Sequence, residues 1–139
     1  MTPDGFPVVG IIGAGQLARM TYQAAIALGV GVRVLAERAD ESAARVCPLV
    51  DIGSPNSRED LIAFAARCDV VTLDNELVDD DALEAIEAAG GIVRPGARAL
   101  RFAKDKLHQR TGFARAGLPV PPFAEVHSAS DITSFAEVH

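Results

Sequence analysis

Three sets of residues carry groups suited to handling a polar ligand: the turn Gly13-Ala14-Gly15-Gln16, the carboxylate of Glu76 and the carboxylate of Glu37. Gly13 permits a tight bend, and Gly15 lets backbone N–H groups approach a ligand with no Cβ in the way. The unpaired N–H groups of Gln16 and Leu17, at the start of the helix that follows, attract a phosphate or another polar ligand through the positive end of the dipole. The run from Gly13 to Ala18 fits the relaxed G-x-G-x-x-A form common to several nucleotide-handling classes, and equally a tight turn that binds nothing. Glu37 ends a strand where dinucleotide folds carry an acid for the ribose 2′-hydroxyl; a solvated carboxylate is the plainer reading. Glu76 follows a later strand, on the edge shared with the glycine turn if the strands are parallel, and it could instead cap the next helix.

Only a parallel sheet brings such residues to one edge. The apolar run at residues 8–12 reads as a buried central strand. It is followed by a helix whose Leu17, Met20, Ala24 and Leu28 form one stripe, expected to pack on the sheet, with Gly29 as a left-handed C-cap. Further strands are predicted at residues 32–35, 49–52 and 69–73, with a short fifth at 92–93. Ser57 and Asp79 open the intervening helices with acid in the first turn. The pattern predicts an α/β fold, a Rossmann-like doubly wound parallel sheet with right-handed crossovers. After residue 96 the pattern changes to a helical region that breaks near Lys104, then a proline linker at 117–122. An edge strand is predicted at 123–126, and a final helix capped by Ser128 turns Ile132 and Phe135 inward. The organisation expected is therefore one domain over residues 1–96 and a helical and linker extension over 97–139.

The composition sets bounds on function. A chain of 139 residues, 49% hydrophobic and with mean hydropathy +0.20, can build a core. A net charge of -6 and a pI near 4.9 argue against nucleic acid or an anionic membrane as partner. Cys47 and Cys68 lack ligand spacing, so no metal site is expected and both read as reduced thiols. The N-terminal MTPDGFP has neither a basic nor an apolar leader segment, and no apolar run approaches a membrane span, which places the protein in the cytoplasm as an expectation.

Five motifs in order, GAGQLARM at 13–20, DNE at 74–76, RPGARAL at 94–100, KDKLHQR at 104–110 and GLPVPPF at 117–123, resemble the N-terminal region of the 5-(carboxyamino)imidazole ribonucleotide synthases. These are ATP-grasp ligases of purine biosynthesis, and the first motif is most similar to their actinobacterial branch. The resemblance implies a Rossmann-like pre-ATP-grasp domain here, with the ATP-grasp lid, its lysine and the Mg2+ carboxylates beyond these residues. It implies a homodimer that uses ATP and bicarbonate to carboxylate 5-aminoimidazole ribonucleotide. By the same resemblance Gly15, Gln16 and Leu17 face the ribonucleotide, Glu76 binds or orients its amine, and Lys106 reaches the ATP phosphates; Arg19 is a weaker candidate. Leu77 departs from the family pattern and removes a polar side chain beside Glu76. These 139 residues alone are expected to be inactive.

Two other readings compete. A nicotinamide-dinucleotide-binding or ligand-sensing Rossmann domain would use the same turn with Glu37 on the ribose, but leaves KDKLHQR and the proline linker without a role. A noncatalytic interaction module is the other.

Overall fold

The computed structural model describes residues 5–139. Residues 1–4, part of the stretch read for a leader, lie outside it. The chain divides into two compact units, one ending at Leu100 and the other Arg101–His139.

The first unit is built on four parallel strands, β1 Val8–Ile12, β2 Gly31–Ala36, β3 Leu49–Ile52 and β4 Val70–Leu73, in the spatial order β3-β2-β1-β4. Helix α1, Gln16–Leu28, joins β1 to β2, α2, Arg58–Ala65, joins β3 to β4, and α3, Asp80–Ala88, follows β4. Side chains alternate along a strand, so neighbouring residues reveal which helix covers which face. On one face Ile11, Val32, Val34 and Ala36 pack with Ala18 and Ala25 of α1. On the other, a Cβ at Gly10 would lie 2.9 Å from the Phe64 ring of α2. The sheet is therefore covered on both faces, as the crossover rule requires.

Four features depart from the sequence expectations. The predicted fifth strand shrinks to a single parallel bridge between Val71 and Val93. The Val71 N–H donates to Ile92 O and the Arg94 N–H to Val71 O, but Pro95 has no N–H to extend the ladder. The stripe of α1 does not face the sheet: Leu17, Met20 and Leu28 are 62%, 54% and 74% exposed, while Ala18 and Ala25 are buried. Small side chains let the helix approach the pleat closely, so the buried face is the alanine stripe about 100° round the axis from the leucines. The predicted edge strand at 123–126 has no ladder partner among the described residues; Pro121 and Pro122 before it offer no donors. Ile132 is 58% exposed and not inward, and Phe135 is half-buried beside the His139 ring.

The second unit holds α5, Lys106–Arg115, and α6, Ala129–Val138, and takes in the end of α4, Ala97–Lys104. The helical break falls at Asp105, which caps α5 through the His108 N–H. Phe102 lies parallel to Phe113 and tilted against His108, yet no residue after Leu100 is fully buried.

Candidate functional site

The carboxyl ends of β1 and β4 are held level by their register, which pairs Ile12 with Leu73. The backbone then locks: the Asp74 N–H donates to Ile12 O at 2.9 Å and the Gly13 N–H to Leu35 O at 2.9 Å. Gly13 has φ +104°, a conformation open essentially to glycine, and it swings the chain into α1.

Helix α1 has no cap of its own. Its N-cap is Gly15, which has no side chain, and its first turn holds no acid. The cap comes from β4 instead. The Gly15 N–H donates to Asp74 Oδ2 and the Ala18 N–H to Asp74 Oδ1, both at 2.8 Å. A Cβ at Gly13 would come within 2.7 Å of the Asp74 Cβ, and one at Gly15 would collide with Asp74 Oδ2. Since Gly15 has φ -76°, open to any residue, it is the approach of Asp74 that demands glycine there. The N–H groups of Gln16 and Leu17, the first two helical residues, have no acceptor within the helix.

Beside this turn lies a cavity of about 300 Å3, at the strand edge where open α/β sheets bind ligands. Its charged lining consists of Glu37, Glu41 and Asp74; Asn56, Asn75 and Leu77 complete the polar and apolar rim. Glu41 is held in place by the Arg38 N–H, which donates to its Oε1, and the loop carrying it is pinned by the Ala43 N–H to Ala14 O. The Gln16 side chain is tied to the Ser42 hydroxyl, which donates to Gln16 Oε1. Glu76 is exposed in the turn after β4 and is not part of the cavity wall, although its neighbours Asn75 and Leu77 are. Leu17 turns the other way, into a small cleft against Thr72 and Leu73. Arg19 is half-buried.

Gly15, Gln16 and Leu17 thus share one turn, whereas Lys106 belongs to the second unit. There it lines a cleft of about 190 Å3 with Arg110, Pro121, Pro122 and Phe123. Sequence reasoning places Asp74 in the DNE motif but misses its role as the cap of α1. The available signal was a negative one: a helix starting at glycine with no Ser, Thr, Asp or Asn cap needs an acceptor from elsewhere.

A larger cavity, about 390 Å3, opens at the opposite end of β4 among Ile62, Cys68, Asp69, Ile86 and Ile92. Burial pushes the Cys68 thiol up to about 11, so it is a poor nucleophile at neutral pH. Asp69 on its rim accepts the Val8 N–H, which holds its carboxyl below the usual range. Both thiols are free. Among the described residues no cluster of His, Cys, Asp and Glu is suited to a metal, and no helix is long and apolar enough to cross a membrane.

A four-stranded parallel sheet covered by helices on both faces, with a cavity at the carboxyl edge of its strands, defines an α/β domain of the doubly wound kind. Residues 6–104 match the ribonucleotide synthetase preATP-grasp domain, and the chain belongs to that family. It is 47% identical over 130 residues to N5-carboxyaminoimidazole ribonucleotide synthase of Mycobacterium tuberculosis strain H37Rv, covering 94% of this chain and 30% of that protein. The Corynebacterium ammoniagenes protein of the same name is 44% identical over 131 residues, covering 94% and 32%. Among solved structures, N5-carboxyaminoimidazole ribonucleotide synthetase from Thermotoga maritima superposes with TM-score 0.81 at 28% identity, covering 93% of this chain and 36% of that one. The Aspergillus clavatus synthase in complex with ADP and 5-aminoimidazole ribonucleotide gives 0.79 at 30% identity, covering 96% and 36%. The chain therefore spans about a third of the length of these relatives.

Proposed function

We propose that this chain is the ribonucleotide-holding part of an ATP-dependent ligase that carboxylates 5-aminoimidazole ribonucleotide with bicarbonate in purine biosynthesis. The observation that carries this reading is the 47% identity, sustained over 94% of the chain, to a protein named for that product. In the reaction, ATP phosphorylates bicarbonate to carboxyphosphate and ADP; the ribonucleotide amine attacks its carboxyl carbon, and phosphate leaves. Residues 1–96 supply the substrate side, and 97–139 lead into the ATP-grasp part. The free N–H groups of Gln16 and Leu17 orient the ribonucleotide beside Gly15, and the exposed Glu76 carboxylate swings over the cavity to accept a hydrogen bond from the amine. Lys106, at the first turn of α5, meets an ATP phosphate through its ammonium group. The Mg2+ that ATP brings has no ligand set among the described residues, so no step through it is assigned to them. The protein acts as a homodimer in the cytoplasm.

The dinucleotide-binding alternative is not favoured, because the relatives along almost the whole chain are ribonucleotide synthases. The test is a titration of 5-aminoimidazole ribonucleotide into the 15N-labelled chain. Saturable shifts at the amides of Gln16, Leu17 and Asn75 are expected, with affinity about ten- to a hundredfold weaker in Glu76→Gln, the loss of a charge-assisted hydrogen bond. Equal binding by Glu76→Gln removes that residue from the site. Shifts with NAD but none with the ribonucleotide overturn the reading.

A further inference from the structure

We propose that the Asp74 carboxylate fills the anion place of the glycine turn, so that the adjoining cavity receives the amine- and hydroxyl-bearing part of its ligand and turns the phosphate away. Which ligand enters rests on the ribonucleotide reading above; the exclusion of phosphate rests on the geometry alone.

A glycine turn at a helix start binds phosphate when its N–H groups are unpaired and the dipole is uncompensated. Here the dipole is compensated, and two of the N–H groups at the turn, those of Gly15 and Ala18, are already paired. Both carboxylate oxygens of Asp74 are engaged, one by the Gly15 N–H and one by the Ala18 N–H, and a full negative charge already sits at the positive end of α1. The room that glycine makes at residues 13 and 15 is taken by this side chain, since a Cβ at either position would strike it. In a phosphate cradle the same room belongs to the ligand.

The walls agree with the cap. Every charged residue lining the cavity is an acid, Glu37, Glu41 and Asp74, and no Arg, Lys or His among the described residues lines it. A phosphate entering this space would lose its water to face like charge, whereas an amine or hydroxyl would find acceptors. Asp74 is in this account a positioning and specificity-determining residue. It shapes the turn, leaves only the Gln16 and Leu17 N–H groups free, and decides which end of an amphoteric ligand can lie against them.

The experiment is a phosphate titration of the 139-residue chain, followed by 15N amide shifts and by Tm, with ionic strength held constant by sodium chloride. In the native sequence the amides of Gly15, Gln16, Leu17 and Ala18 stay still and Tm does not move. In Asp74→Ala the vacated place takes up phosphate: the same amides shift saturably, and Tm rises by about 3–5 °C at roughly ten times Kd. Saturable shifts at the turn in the native chain overturn the proposal, and so does a folded Asp74→Ala that gains no phosphate. The native titration decides by itself if that variant does not fold. A second pair of probes, 5-aminoimidazole ribonucleoside and its 5′-phosphate, separates the two readings. Equal shifts from both at the cavity amides support the exclusion, and shifts at the turn that need the 5′-phosphate overturn it. If neither nucleoside probe binds, the ribonucleotide reading fails while the phosphate result still decides this one.

Discussion

The starts of α1 and α5 meet the same physical demand in opposite ways. Every α-helix opens with N–H groups that find no acceptor within it. Helix α5 answers locally: Asp105, the residue before its first, accepts the His108 N–H at 2.9 Å. Helix α1 answers across the sheet, with Asp74 reaching back from the end of β4. A local cap stabilises one helix. A cap from another strand also ties two elements together and fixes the turn between them.

The largest expected effect follows from breaking the long-range cap. Asp74→Ala leaves two N–H groups without their charged acceptor, and a loss of about 2–4 kcal/mol is expected, read as a lower denaturant midpoint with unchanged slope. Gly15→Ala should cost nearly as much, because its Cβ collides with Asp74 Oδ2 and expels the carboxylate. Since both substitutions disrupt one interaction, the double variant should lose clearly less than the sum of the two. Strict additivity would mean that the glycine serves some other purpose.

Asp105→Ala sharpens the contrast at a smaller scale. A loss of about 1 kcal/mol confined to α5 is expected, seen as faster amide exchange there while the unfolding midpoint of the first unit holds. A drop in that midpoint comparable to the Asp74→Ala effect would erase the distinction between local and long-range caps.

The smallest effect is a pH dependence at α6. The His127 N–H and then the Ser128 N–H donate to Asp131, which holds its carboxyl below the usual range. A depressed folded value means that the stabilisation is fully present above the ordinary carboxylate pKa and fades as pH falls through the lowered one. Amide protection at His127 and Ser128 should persist through mildly acid pH and fall only below it, and Asp131→Asn should abolish the dependence. Loss already near the ordinary carboxylate range would show that the carboxyl is not held by these donors.

Much of the fold is legible in the sequence because its signals are local. The apolar run before Gly13 marks β1, Ser57 and Asp79 mark the starts of α2 and α3, Gly29 marks the left-handed end of α1, and Asp131 completes the capping box with Ser128. These depend on residues within a turn of one another, so their types and spacing are sufficient. The family resemblance was legible for a similar reason, as an ordered set of short motifs, and the family match spans residues 6–104.

Tertiary structure alone decided what those elements do to one another. The leucine stripe of α1 had the right period and the wrong face, because the distance between helix and sheet selected alanines for the contact. Residues 92–93 had strand-like side chains but kept only a bridge, since a ladder also needs donors in register and Pro95 supplies none. The glycines at 13 and 15 announced a close approach to the backbone without saying by what. That answer depended on Ile12 pairing with Leu73, which delivers a residue 59 positions after Gly15 to its N–H. Local propensity sets each element's type within a few residues, but the partner of an exposed N–H is fixed by strand register, a property of the whole sheet.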